Sequence, residues 1–84
     1  MNEEKEDDAR PGESKEERFK RLAEPRVNRA LDKIRLINNL ATSQYSFSAE
    51  QASKIIRALR DAVSELEDKF QRRLDRQKEK GFEL

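Results

Sequence analysis

Two runs of apolar residues, each repeating at intervals of three and four, constrain the fold of this chain more than any other feature. Because an α-helix places residues three and four apart on one face, each run predicts an amphipathic helix with a single apolar stripe. The first run consists of Phe19, Ala23, Val27, Ala30, Ile34, Ile37 and Ala41. The second run consists of Ala52, Ile56, Leu59, Val63, Leu66 and Phe70.

Ser14 and Glu17 mark the start of the first helix. This S-x-x-E spacing is typical of a capping box, in which each side chain accepts a hydrogen bond from the backbone N–H of the other residue. The periodicity then predicts a helix over about 15–41. Pro25 lies inside this range. Because proline has no N–H to donate and its ring clashes with the preceding turn, we expect a kink near residue 25 rather than a break.

The second helix has a capping box of its own, formed by Ser48 and Gln51. Phe47 precedes the cap and is placed to pack on Ala52 as a hydrophobic staple. These signals predict a turn at 42–47 and a second helix over about 49–78.

The two ends of the chain carry no helical period. Residues 1–13 are rich in acids and contain the helix-breaking pair Pro11-Gly12, so we predict a disordered acidic tail. Gly81 is a stop signal for the second helix. Residues 81–84 are therefore predicted to form a frayed end.

If residues 42–47 form the turn, an antiparallel hairpin pairs positions whose numbers sum to about 89 or 90. This register places Phe19 opposite Phe70 and Val27 opposite Val63. The predicted hairpin core consists of Phe19, Ala23, Val27, Ala30, Ile34, Ile37, Ala52, Ile56, Leu59, Val63, Leu66 and Phe70.

Residues beside the two stripes remain uncovered in a single hairpin, which favours a second copy of the chain. The predicted dimer or partner face consists of Leu22, Leu31, Leu40, Ala62, Leu74 and Asn38. The predicted fold is all-α, an antiparallel helical hairpin that dimerises into a four-helix bundle. The alternatives are a monomer with a docked third segment and a complex with another protein. Asn38 itself fits either a hydrogen-bonded pair across a dimer axis or a helix cap.

The composition argues against several functions. The 84 residues include no Cys and no His, so we expect neither disulfides, nor zinc, nor a Ser-His or Cys-His nucleophile pair. We predict a non-enzymatic protein with no catalytic residues, no metal, no cofactor and no small-molecule substrate. No apolar run reaches the length of about 18 residues that a membrane helix needs. Because the acidic N-terminus does not resemble a secretory signal, we expect a cytoplasmic location with no membrane partner.

The net charge of +1 hides a basic middle segment. Residues 19–44 contain six bases and two acids, whereas residues 1–18 contain eight acids and four bases. Five cations of the first helix form what we call the basic strip: Arg18, Arg21, Arg26, Arg29 and Lys33. Such a strip can contact a phosphate backbone. It can also be a solvated helix face that the acidic tail partly complements.

These observations predict a small protein-interaction or regulatory module that associates with itself, as a homodimer, or with an unidentified protein through its helix faces. The alternative function is a nucleic-acid-binding regulator that uses the basic strip.

Residues 18–70 resemble a family of short uncharacterised bacterial helical proteins, some of them associated with plasmids and phages. The resemblance rests on an R-F-x-x-L-A motif beginning at Arg18 and on a Y-x-F-S motif beginning at Tyr45. Arg26-Val27-Asn28 and the run of Ile34, Ile37 and Leu40 add to it. It implies a bacterial origin, in a mobile-element context, and carries no assigned activity.

Overall fold

The computed structural model describes residues 9–80, with side chains described over 9–78. Within this range the chain is all-helical: α1 spans Lys15–Asn38, α2 spans Ala49–Lys80, and there is no strand. The predicted all-α class is thereby confirmed. The chain divides into two units, Met1–Tyr45 and Ser46–Leu84, with one helix in each. The first eight residues of the predicted tail and the predicted frayed end at 81–84 lie outside the described residues.

The N-terminus of α1 carries the predicted capping box. The Glu17 N–H donates to Ser14 Oγ at 3.0 Å, and the Ser14 N–H donates to Glu17 Oε1 at 2.8 Å. Glu16 and Glu17 also place negative charge in the first helical turn, where the helix dipole favours it. The start of α1 is therefore determined by local hydrogen bonds and electrostatics alone.

A tight turn precedes this cap. The Glu13 N–H donates to the Arg10 carbonyl oxygen at 3.0 Å, and Gly12 has a φ of +76°. Proline second and a positive-φ glycine third define a type II β-turn. Residues 10–13 therefore form an ordered turn, where the sequence predicted part of a disordered tail. Pro11 and Gly12 break the helix, but they also favour this turn.

α1 continues through Pro25 without interruption. The missing N–H removes one backbone hydrogen bond, the one that residue 25 would donate to the carbonyl of residue 21. One turn later, Arg29 Nε donates to the Pro25 carbonyl oxygen at 3.2 Å. Pro25 thus lowers the intrinsic stability of α1 without ending it.

α1 ends at Asn38, three residues before the predicted end near 41. The Leu40 N–H donates to the Ile37 carbonyl and the Ala41 N–H to the Asn38 carbonyl, each at 3.0 Å. These bonds span three residues, so Leu40 and Ala41 lie in turns and not on the helical stripe to which the sequence assigned them. The physical reason is the Asn38-Asn39 pair, because asparagine side chains compete with helical backbone hydrogen bonds and favour helix ends.

The segment 39–48 joins the helices and ends in a second capping box. The Ser48 N–H donates to Gln51 Oε1 at 2.9 Å, and the Gln51 N–H donates to Ser48 Oγ at 3.0 Å. Phe47 is exposed beside this cap, and its stapling contact with Ala52 stays a prediction. From here α2 continues for 32 residues to Lys80, slightly beyond the predicted end near 78.

We expect Pro25→Ala to stabilise α1. Proline in a helix interior is about 3 kcal/mol less favourable than alanine, and the substitution restores the missing backbone donor. Thermal unfolding followed by circular dichroism should show a higher Tm and a larger helical signal. Glu24→Ala, an exposed neighbour, should change the Tm far less. A lower Tm for Pro25→Ala would mean that the helix needs the proline conformation.

We expect Ser48→Ala to lower the free energy of unfolding by about 1 kcal/mol, because it removes the oxygen that accepts the Gln51 N–H. Ser53→Ala is the matched control, since Ser53 lies on an exposed face inside α2. Alanine has the higher helix propensity there, so the control should be neutral or slightly stabilising. Urea unfolding measures both variants, and equal effects would contradict the capping role.

Candidate interaction surfaces

The apolar stripe of α2 is open to solvent. Val63 is 57% exposed and Leu66 is 55% exposed, and Ile56 and Phe70 are also exposed. Ile55 and Leu74 extend the same apolar face at its edges. We call this surface the α2 seam; it consists of Ala52, Ile55, Ile56, Leu59, Val63, Leu66, Phe70 and Leu74. Exposure of several large apolar groups on one helix face is typical of a surface that binds another apolar surface.

The apolar stripe of α1 is similarly open at its larger residues. Phe19 and Val27 are each 55% exposed, whereas the smaller Ala23 is half-buried. Over residues 9–78 no side chain is classed as buried. The residues predicted to form a hairpin core therefore lie on exposed stripes, and their pairing between helices stays a prediction.

The predicted dimer or partner face is mostly exposed too. Leu31, Leu40 and Leu74 are exposed large apolar side chains, and Leu22 alone of the four leucines is half-buried. Ala62 and Asn38 are exposed, and the Asn38 carbonyl accepts from Ala41 in the turn that ends α1. Leu40 is displaced from the face because the helix stops before it.

The basic strip contains an ion pair that the sequence analysis missed. Arg21 donates to Glu13 through two nitrogens, with Nε to Oε2 at 2.7 Å and Nη2 to Oε1 at 3.0 Å. The Glu13 side chain is 11% exposed and that of Arg21 is 20% exposed. Glu13 Oε1 also accepts from the Arg10 N–H at 3.2 Å. This bidentate pair holds the turn at residues 10–13 against the side of α1.

These contacts affect the ionisation of Glu13. The hydrogen bonds from Arg21 lower the pKa of Glu13, and the Arg10 N–H acts in the same direction, while partial desolvation opposes them. The anionic form of Glu13 is therefore favoured in the folded chain. Its stabilising contribution is present above the ordinary pKa of a glutamate and is lost as the pH falls through the lowered pKa.

The remaining cations of the basic strip differ in exposure. Arg18, Arg26 and Arg29 are half-buried like Arg21, whereas Lys33 is exposed. The cations of α1 outside the strip are all exposed: Lys15, Lys20 and Arg35. Coverage on α1 is thus concentrated on one side of its N-terminal half, around Leu22, and the structure brings four of the five predicted strip residues together there.

Ion pairs on the remaining helix surface are short-range and solvated. Arg35 Nη1 lies 2.8 Å from Asp32 Oδ1, and Lys54 Nζ lies 3.7 Å from Glu50 Oε1. Such exposed pairs contribute roughly 0–1 kcal/mol. They keep the polar faces solvated and point to no ligand.

Two further findings concern residues 9–80. Neither helix has an apolar stretch long enough to cross a membrane. No three His, Cys, Asp or Glu side chains cluster there in a way that could hold a metal ion.

No family model, curated protein or solved structure matches this chain. The exposed seam and the basic strip therefore have to be interpreted from their own chemistry.

A sequence signal for the Glu13–Arg21 pair does exist. Pro-Gly at the centre of a four-residue turn and an acid at its last position together place a carboxylate beside the first two helical turns. Helix periodicity does not reveal it, because Glu13 lies outside the helix.

We expect Arg21→Gln to raise the pKa of Glu13 toward its ordinary value, because the substitution removes the two charge-assisted hydrogen bonds. Titration of the Glu13 side-chain carboxyl carbon by NMR measures the change. Lys20→Gln removes the same charge from an exposed neighbouring position and should leave the Glu13 titration nearly unchanged. Equal shifts in the two variants would mean that net charge, and not the direct contact, controls the Glu13 pKa.

Proposed function

We propose that this chain is a small non-enzymatic protein-interaction module that associates with itself through the apolar faces of its helices. The observation that carries the proposal is the exposure of both apolar stripes, with no buried side chain over residues 9–78. Burial of a large apolar side chain contributes about 1.5–3 kcal/mol. Two amphipathic helices that leave their stripes in water lack this contribution, so a bound partner supplies it.

The architecture that best covers the stripes is an antiparallel hairpin paired with a second copy as a four-helix bundle. In the register proposed above, Phe19 meets Phe70 and Ala30 meets Leu59, so small residues face large ones and layers interdigitate. The flanking leucines 22, 31 and 74 then cover the second copy. Dimerisation is a common source of stability for a chain of this size without disulfides or metal.

A second copy is a better partner than an unrelated protein for one reason. The two stripes match each other in spacing, so the chain already carries a complementary surface for every position of the seam. The resemblance to short bacterial helical proteins favours a regulatory module of this kind in a bacterial host.

Nucleic-acid binding by the basic strip is the competing function, and two contacts disfavour it. Arg21 is held by Glu13 in a bidentate pair, and Arg29 Nε is directed to the Pro25 carbonyl oxygen. A phosphate backbone would have to displace the carboxylate. Few cations of the strip then project freely toward a duplex, of which Lys33 is the most exposed type.

The proposal is tested by comparing wild type, Leu66→Lys and Ser64→Lys by sedimentation equilibrium. Leu66 is on the α2 seam, whereas Ser64 lies on an exposed polar face, and both substitutions add one positive charge. A symmetric dimer loses two buried leucines, roughly 3–6 kcal/mol, which weakens the dimer at least about 100-fold. We expect a wild-type dimer at micromolar concentration, a monomeric Leu66→Lys with reduced helical signal, and a Ser64→Lys that behaves like wild type.

A folded wild-type monomer at micromolar concentration would overturn self-association. Fluorescence anisotropy with labelled duplex DNA at about 50 mM salt distinguishes the competing function, because phosphate contacts are strongest at low salt. We expect weak binding by wild type. Tight binding that falls steeply with added salt would favour the nucleic-acid function instead.

A further inference from the structure

The coverage of α1 falls on its charged side, where a solvated helix shows the least. Arg18, Arg21, Arg26 and Arg29 are half-buried, while the apolar Phe19 on the neighbouring stripe is 55% exposed. Arginine side chains on a solvent-facing helix normally extend their charged ends into water. A half-buried row of arginines marks a surface suited to an acidic group.

One acidic group already occupies this surface. Glu13 binds Arg21 across eight residues of sequence and is itself 11% exposed. The type II turn at residues 10–13 reverses the chain direction just before α1 begins. The chain that enters the turn at Arg10 is therefore aimed back along the side of α1 on which Arg21 lies.

The segment before the turn has the matching charge. Residues 1–8 contain five acids and one lysine: Glu3, Glu4, Lys5, Glu6, Asp7 and Asp8. The basic strip contains five cations. The charge complementarity is thus close to one acid for each base.

The segment is also long enough. Eight extended residues span roughly 26 Å, whereas Arg29 lies only about 12 Å beyond Arg21 along the helix axis. The arm can therefore pass Arg26 and Arg29 while the turn remains fixed at Arg21.

We propose that residues 1–8, which lie outside the described residues, form an acidic arm that binds the basic strip of the same chain and excludes other polyanions from it. The contact is electrostatic, and it is favoured because attachment through the turn gives the arm a high effective concentration at the strip. Ionic strength weakens it, because pairs near the surface are screened within about 10 Å at 0.1 M salt. The arm explains why a chain with a basic helix need not act as a nucleic-acid binder.

The position of the arm is tested with a spin label. Because the chain has no Cys, Asn2→Cys provides a single labelling site in the full-length protein. We expect paramagnetic broadening of the backbone amides from Arg18 to Arg29, relieved by about 0.5 M salt, at which screening is strong. An equal mixture of spin-labelled unenriched chain and unlabelled ¹⁵N-enriched chain should show little broadening. Strong broadening in that mixture, or none in the labelled chain itself, would overturn binding within one chain.

Exclusion of polyanions is tested with two variants that raise the net charge equally. The first neutralises the arm by Glu3→Gln, Glu4→Gln, Glu6→Gln, Asp7→Asn and Asp8→Asn. The second neutralises five exposed acids of α2 by Asp61→Asn, Glu65→Gln, Glu67→Gln, Asp68→Asn and Asp75→Asn. In anisotropy titrations with labelled duplex DNA at low salt, we expect the arm variant to bind at least tenfold more tightly than the α2 variant.

Adding Arg26→Gln and Arg29→Gln to the arm variant should remove most of this gain, because the basic strip is the surface uncovered. Equal DNA affinity of the two neutralised variants would overturn exclusion by the arm, since net charge alone would then explain the binding. Sedimentation of the same samples reports on self-association separately, so failure of the arm and failure of the dimer are distinguishable.

Discussion

The hydrophobic effect acts on this chain mainly through two apolar stripes that its described residues leave in water. Each helix is amphipathic, and yet Val27 on α1 and Val63 on α2 remain more than half exposed. Helix propensity and caps contribute only tenths of a kcal/mol to about 1 kcal/mol each, so they do not replace the burial of a stripe. The proposed self-association follows from this one constraint. If it holds, the stability of the chain depends on its own concentration, as it does for obligate dimers.

The parts of the fold that could be predicted from sequence are those governed by contacts between near neighbours. The helices follow from 3.6-residue periodicity, and both capping boxes follow from a serine and its partner three residues later. The end of α1 was predicted too late because an apolar pattern continues to Ala41 after the backbone pattern has stopped. At that point the preference of two asparagines for a helix end outweighs the burial that Leu40 would gain.

The candidate surfaces were less predictable because they depend on residues distant in sequence. The basic strip was recognised as a set of charges, but its half-buried state requires the turn at 10–13 and the reach of Glu13 to Arg21. Both features arise outside any helix, where periodicity carries no information. The pairing of the stripes likewise requires a second surface whose identity no pattern within one helix specifies.

The position of Pro25 has a consequence for the order in which the chain folds. The missing hydrogen bond divides the 24 residues of α1 into segments of 10 and 13, while α2 continues for 32 residues without a proline. Isolated helices shorter than about 12–15 residues are marginal in water. α2 is therefore the element able to form early as a template, and α1 becomes fully helical only when its stripe finds a surface. The proline makes one half of the chain wait for the other, which couples completion of the fold to recognition.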